Sequence, residues 1–361
     1  MGNGDHGAVA DAFVERLFGS FIQTWDVFAI HLGTKLGYYA ALAAGAPLNA
    51  DELAAATGTI ARYAREWLEQ QAVTGILEVD DHAADPAERR YTLPVAHAEV
   101  LTDPDSLRYL APAASQIVAA GLALPGLVQT YRGERTFGWD DYAADMRDGQ
   151  ADMNRPWFLT ALGTSVLPSI PDVHARLSAG GRMADIGCGG GWSTIAIAKA
   201  YPAIEADGFD LDEPSVEMAR RNAASESVSD RVRFHVRDAA GEDLEGAYDV
   251  VTAFECIHDL GDPVGVLRTM RRLRNEGGSV LVVDEKVAER FTAPGDDLER
   301  FMYGFSITTC LPDGMSHPGS VGTGTVMRPD TLRAYALEAG FDAIEILPMD
   351  HDTFRLYRLV G

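Results

Sequence analysis

Positive charge is what this chain has least of. Its 361 residues carry 30 Lys and Arg against 54 Asp and Glu, a formal net charge of −24. A nucleic-acid backbone or an anionic membrane rewards clustered cations, so neither is expected as a partner. Cysteine is also scarce. Cys188, Cys256 and Cys310 are scattered and odd in number, which argues against a disulfide framework and fits a reducing compartment. No stretch approaches the roughly 20 apolar residues of a membrane span, and no internal repeat or low-complexity tract is present. The opening residues MGNGDHGAVADAF lack a basic region and a long apolar run, so no signal peptide is expected and the protein is read as cytoplasmic. What remains is an ordinary globular composition, 47% hydrophobic and 23% charged, at a length suited to two domains.

The first half is helical. Phe13, Leu17, Phe21, Trp25, Phe28, Leu32 and Leu36 recur at three- and four-residue intervals, an apolar stripe along one long helix. Asn49 followed by Glu52 has the form of a capping box. Thr59 is expected to cap a second helix that runs to about Val73, and Gly75 to stop it. ILEV and RYTL then alternate as two small strands around a polar loop. Helix, turn, helix and hairpin make a winged-helix pattern. Its second helix offers only Arg62 and Arg65, set against Glu66 and Glu69, too little for a DNA-reading face. From Leu101 to Ile170 a helical stretch is expected to be interrupted by Pro112, Pro125, Gly126, Pro156 and Pro168. The aromatic, acidic run TFGWDDYAADMRDG within it suits either a pocket wall or a packed connector.

From Arg182 the pattern becomes strand alternating with helix, closing with helix RPDTLRAYALEAG and the strands AIEILPMD and TFRLYRLV. The turn NEGG is expected to lead into strand SVLVVDE. Strands separated by helices imply a parallel sheet covered on both faces, and the last hairpin adds antiparallel edge strands. Ligands in such sheets sit at the C-terminal strand ends.

Each strand end carries chemistry. The first, MADIGCGGGW, runs from a strand into a glycine turn and a helix N-terminus, which offers free backbone N–H groups to a ligand. It is not a full dinucleotide fingerprint, because Trp192 stands where a third spaced glycine belongs. The spacing is instead Asp185, Gly187, Gly189, Gly191. Asp210, followed by Leu211, ends the second strand, where a carboxylate accepts from ribose hydroxyls. Asp212 is expected to be a helix N-cap. Asp238 ends the third strand, placed to accept from an adenine amine while Ala239 offers its N–H. Three carboxylates around one site disfavour a phosphate ligand. They suit a phosphate-free cationic cofactor.

ADIGCGGGW, GFDLDEP, HVRDA and the closing hairpin resemble, in order and spacing, the motifs of class I S-adenosylmethionine-dependent methyltransferases, over roughly residues 160 to 361. The first half is similar to the winged-helix dimerisation domain of small-molecule O-methyltransferases. The resemblance implies a mainly α winged-helix domain (1–105), a helical connector lining the substrate pocket (106–170) and a cofactor-binding domain (171–361). The last is an α/β, seven-stranded Rossmann-like sheet with its last strands antiparallel. It further implies a homodimer, S-adenosyl-L-methionine as cofactor and a small, partly apolar acceptor, most simply at oxygen. Asp185, Gly187, Gly189 and Gly191 would meet the methionine end, Asp210 and Leu211 the ribose, Asp238 and Ala239 the adenine, and the Phe254 backbone the sulfonium.

The fourth strand end reads AFECIHDLGDP. The family places a His-Asp pair there, followed by Trp, with the His as general base; this chain has His258 and Asp259 but Leu260. A hydroxyl acceptor must lose its proton, which suits an imidazole near neutrality, and Glu285 at the next strand end is the candidate to orient it. A loop histidine beside an enzyme working by proximity stays open. The segment 286–328 combines an aromatic helix with a glycine-rich loop; in the family this insertion covers the acceptor. Phe301, Met302, Phe305, Cys310 and His317 are therefore acceptor-side candidates, with His317 a second candidate base. A metal site from Cys256, His258 and His317 is conceivable, but no ligand pair has i, i+3 or i, i+4 spacing on a helix, and no metal is expected. The rivals are methyl transfer to nitrogen or carbon, a cofactor-binding protein without transfer, a nicotinamide-dependent reductase and a ligand-sensing regulator.

Overall fold

In a computed structural model, which describes residues 3–241 and 244–361, the chain forms two compact units, Met1–Val118 and Ala119–Gly361. The first holds α1 (Asn3–Lys35), α2 (Tyr38–Ala43), α3 (Ala50–Thr57), α4 (Ala61–Val73), β1 (Glu78–Val79), β2 (Tyr91–Thr92) and α5 (Val95–Thr102). Its core gathers Tyr38, Tyr39, Leu53, Trp67 and Leu68, and the Trp67 indole donates to the Ala29 carbonyl at 2.8 Å. The capping box forms: the Asn49 side chain accepts from the Glu52 amide, and Glu52 from that of Asn49. Thr59 does not cap α4. Ile60 holds that position with no side-chain bond, because the Thr59 hydroxyl is engaged by Tyr38 and Thr57. The wing is minimal, two antiparallel residue pairs. Along α1, Phe13, Phe18, Phe21 and Trp25 are exposed.

Helix α6 (Ala111–Tyr131) corrects two expectations. Pro112 lies in its first turn, where a missing N–H costs nothing, and the helix continues through Pro125 and Gly126. It is consequently long and apolar enough to cross a membrane, by length and composition only, and half of it is buried; the prolines had broken this run when read as sequence. Pro156 is likewise inside α7 (Ala144–Trp157), which passes into a wider-wound turn at Phe158–Val166.

The second unit continues with α8 (Pro171–Ser178), β3 (Arg182–Ile186), α9 (Trp192–Ala200), β4 (Glu205–Asp210), α10 (Glu213–Ser225), β5 (Val232–Val236), β6 (Tyr248–Phe254) and α11 (Pro263–Leu273). Then follow β7 (Arg274–Glu285), α12 (Asp297–Phe305), α13 (Leu311–Gly314), α14 (Pro329–Glu338), β8 (Ala343–Leu347) and β9 (Phe354–Val360). The seven-stranded sheet has the order β5-β4-β3-β6-β7-β9-β8. Its first five strands are parallel, while β9 runs antiparallel to β7 and β8 to β9. Helices cover both faces, over cores that include Ile195, Val216 and Leu281 on one side and Val251, Leu267 and Leu332 on the other. NEGG is not a turn before β7 but part of it, absorbed by a register shift against β6 between Tyr248 and Val250. Strand order reverses between β3 and β6, which opens a crevice at their C-terminal ends.

Candidate active site

The glycine turn after β3 exists because side chains do not fit it. Gly187 has φ 67°, and a Cβ there would lie 2.7 Å from the Cys256 sulfur. Gly191, at φ 79°, caps α9, and a Cβ would meet the Phe234 ring at 2.6 Å. The two glycines differ in consequence. Gly187, with Cys188, Gly189 and Gly190, lines a cleft, whereas Gly191 seats the helix on the sheet.

Acidic residues brace this turn from behind. Asp185 is fully buried; one carboxylate oxygen accepts from Ser193 (2.5 Å) and Thr194 (2.7 Å), the other from Thr252 (2.8 Å). It therefore does not face the cleft, and burial raises its pKa. Asp210 accepts from the amides of Gly189 (2.8 Å) and Asp212 (2.9 Å), tying the turn to the end of β4. Asp212 caps α10 as expected. It also receives Arg147 of α7 in a two-pronged ion pair, 2.5 and 3.0 Å. Despite burial, Asp212 is held below the usual carboxylate range by Arg147 and Ser215.

The other wall of the cleft is Trp139, Arg147, Gln150, Asn154 and Phe158, all from the segment before β3. Phe254 and Glu255, at the end of β6, close it. Glu255 has φ 52°, a left-handed conformation uncommon for a residue with a side chain. Its Oε2 faces the Gln150 amide at 3.5 Å, while Oε1 is buried without a hydrogen-bond partner.

Three residues on from Glu255, His258 is 2% exposed. Its Nδ1 lies 2.6 Å from Asp284 Oδ1 and 2.9 Å from Glu285 Oε2, and its Nε2 lies 2.9 Å from Asp259 Oδ1. Burial alone would lower the imidazolium pKa, but Asp259, Glu285 and Asp284 outweigh it and lift it well above 6.5. Burial raises Glu285 well above the ordinary carboxylate value, whereas the His258 charge keeps Asp284 low despite burial. His258, Asp284 and Glu285 thus titrate as one interacting group. The 2.6 Å contact between Nδ1 and Asp284 is a charge-assisted hydrogen bond, and the His258–Asp284–Glu285 and His258–Asp259–Cys310 groups each bring their ligand atoms close enough together to hold a metal ion. The Cys310 thiol lies within 4.8 Å of the His258 and Asp259 polar atoms and is pushed up to about 12 by burial.

Cys310 arrives with the insertion after β7. That segment docks on the chain before α7: the Tyr131 hydroxyl donates to the Ile307 carbonyl (2.9 Å), Tyr142 to Thr308 (2.6 Å), and the Trp139 amide to Asp313 (2.8 Å). Phe301 stacks edge-on against Phe305, and Met302 is buried. His317 is exposed beside Ser316. None of these four lines the cleft.

Comparison with known proteins decides which ligand such a turn serves. Residues 177–306 match the model for a methyltransferase domain, and residues 27–103 that for an Rv2258c-like winged HTH domain. The ubiquinone biosynthesis O-methyltransferase of Pseudomonas paraeruginosa is 32% identical over 177 residues, 48% of this chain and 70% of that protein. The chain belongs to the class I S-adenosylmethionine-dependent methyltransferases.

Further relatives extend the picture. The 27-O-demethylrifamycin SV methyltransferase of Amycolatopsis mediterranei is 32% identical over 147 residues, 40% of this methyltransferase and 48% of the relative. The solved mitomycin 7-O-methyltransferase matches the fold with TM-score 0.71 at 21% identity, covering 99% of both chains. Human N-acetylserotonin methyltransferase, solved with S-adenosylmethionine, matches at TM-score 0.69 and 17% identity, covering 96% of this chain and 97% of that one. The methyltransferase takes S-adenosylmethionine as its cofactor, and its cleft fits that group. Gly187 and Gly189 line it with left-handed backbone, Glu255 offers an unpaired oxygen, and Arg147, the cation that would favour a phosphate, is already held by Asp212.

Of the residues singled out in the sequence, Gly187, Gly189 and Phe254 meet in the cleft. Asp185 and Gly191 are structural supports behind it. Asp238 and Leu211 are exposed at the neighbouring strand ends, and Ala239 beside them is half-buried; none lines the described cleft. Asp238 accepts from the Ala240 amide at 2.8 Å. Asp284, Arg147, Gln150 and Asn154 were missed. VVDEK shows two adjacent acids of which only Glu285 was chosen; the connector residues gave no local signal.

Proposed function

We propose that this methyltransferase moves the methyl group to an oxygen of a small, partly apolar molecule, with His258 as general base. The observation that carries the reading is the buried His258 ring, hydrogen-bonded to Asp284 through Nδ1 and with Asp259 2.9 Å from Nε2, three residues beyond the cleft-lining Glu255. S-adenosylmethionine, when bound, supplies a methyl carbon that is electrophilic because it leaves a sulfonium. The protein's task is then to hold the acceptor in line and to take its proton. Asp284 and Glu285 fix the ring through Nδ1, which leaves Nε2 as the atom that exchanges a proton with Asp259 or with an acceptor hydroxyl. Asp210, Asp238 and Ala239 are proposed for the adenosyl half, at the ends of β4 and β5. The insertion carrying Phe301, Met302 and Phe305 is proposed as the acceptor-side cover, with the segment 106–170 as the opposite wall. Relatives named as ubiquinone biosynthesis O-methyltransferase and 27-O-demethylrifamycin SV methyltransferase support oxygen, while the 31% identical ajmaline N-methyltransferase of Rauvolfia serpentina supports nitrogen as the second reading.

The test is His258→Ala. We expect S-adenosylmethionine affinity within about threefold of wild type and turnover of a phenolic acceptor panel lowered by about 10²–10⁴-fold. Turnover within a few-fold of wild type, followed by product mass, would replace the base with proximity alone. The exposed apolar residues of α1 support self-association, so the second part of the proposal is a homodimer formed through the N-terminal unit.

A further inference from the structure

Glu255 is absent from the mechanism above, yet its surroundings are built. Its oxygen Oε1 is buried with no hydrogen-bond partner, in a residue that lines the cofactor cleft. Its backbone is held at φ 52°, a conformation that costs free energy and persists where the surroundings enforce it. Across the cleft stand Gly187 to Gly190 on one side and Gln150 and Asn154 on the other. A buried carboxylate left one oxygen short is costly unless a cation or proton completes it.

We infer that Glu255 binds the α-ammonium group of the methionyl half of the cofactor, and that it gives up a proton when the cofactor enters. This rests on the chain's assignment to S-adenosylmethionine and not on the base role of His258. The ammonium is the partner rather than the sulfonium for a reason of catalysis. Methyl transfer removes the sulfonium charge, so a carboxylate paired with that charge would stabilise the ground state and slow the reaction. The ammonium charge is unchanged throughout. Pairing it with Glu255 gives affinity without that penalty.

In the empty cleft, burial pushes Glu255 up to about 8; the Asn154 side chain and His258 pull it down, and Asp284 and Asp259 push it up. Gln150 and Arg147 complete the groups around it. At pH 7 the empty site is therefore mostly protonated, and the bound site, facing an ammonium, is not. Binding releases a proton, and affinity rises with pH until about 8.

Isothermal titration calorimetry at pH 7 in two buffers of different ionisation enthalpy measures the proton directly. We expect wild type to release about one proton with S-adenosylmethionine and with S-adenosylhomocysteine alike, since both carry the ammonium. Glu255→Gln should release none and bind both about 10- to 100-fold more weakly, with an unchanged circular dichroism spectrum; Glu255→Asp should restore part of each. Equal proton release by wild type and Glu255→Gln overturns the inference, as does a variant that weakens only S-adenosylmethionine, which would place the carboxylate at the sulfonium. Failure of wild type to bind either ligand would instead defeat the cofactor assignment.

Discussion

At His258, three carboxylates decide what a pH profile will look like. A general base acts when neutral, and here the imidazolium is stabilised well above 6.5 by Asp259, Glu285 and Asp284. If His258 is the base, kcat/KM should rise with pH through an apparent pKa above that of a free imidazole. Asp259→Asn removes one of the anions, so that inflection should move to lower pH, toward 6.5. An inflection that stays in place would assign the titration to another group. Asp284 shows the limit of reading single residues. VVDEK displays both acids, but strand alternation alone does not say that a histidine 26 positions earlier points its Nδ1 at the first of them. The Asp185 role was also hidden, because Ser193, Thr194 and Thr252 converge on it only once β3, α9 and β6 are packed.

Helix α7 is tied to the strand ends in part by an ion pair. The Arg147–Asp212 pair is mostly buried, with side chains 14% and 8% exposed. Removing one partner of a buried pair leaves an uncompensated charge, at about 3–5 kcal/mol. Arg147→Ala should therefore lower the unfolding free energy by an amount of that order, read by urea titration at pH 7. The loss should shrink as pH falls. Asp212 is depressed in the folded state, so its contribution is complete above the unfolded carboxylate pKa of about 3.9 and vanishes as pH drops through the folded value. An effect that persisted unchanged at low pH would mean that Arg147 acts through packing. Elements of this kind divide what sequence can show. The β3 turn and β4 to β6 were legible because glycines, alternation and terminal acids are local signals. The cleft wall was not, since Trp139, Arg147 and Gln150 each meet a partner across 65 or more positions. Continuity of α6 was hidden by Pro112 and Pro125, which the helix tolerates.

Over the whole molecule, two properties in the sequence oppose each other. The first unit shows Phe13, Phe18, Phe21 and Trp25 on one exposed helix, while the chain carries a net charge of −24. Two copies would bring together a formal charge of −48, twice −24. If α1 supplies the proposed dimer contact, Trp25→Asp or Phe21→Asp should yield monomer by sedimentation equilibrium with the melting temperature little changed. A variant that stayed dimeric would move the interface elsewhere. The apolar stripe has a further consequence for ionic strength. Apolar burial is not weakened by salt, whereas like-charge repulsion is screened within about 10 Å at 0.1 M. The dimer should therefore tighten as sodium chloride is raised from low concentration, opposite to an interface held by ion pairs, and low-salt dilution should be the condition that dissociates it.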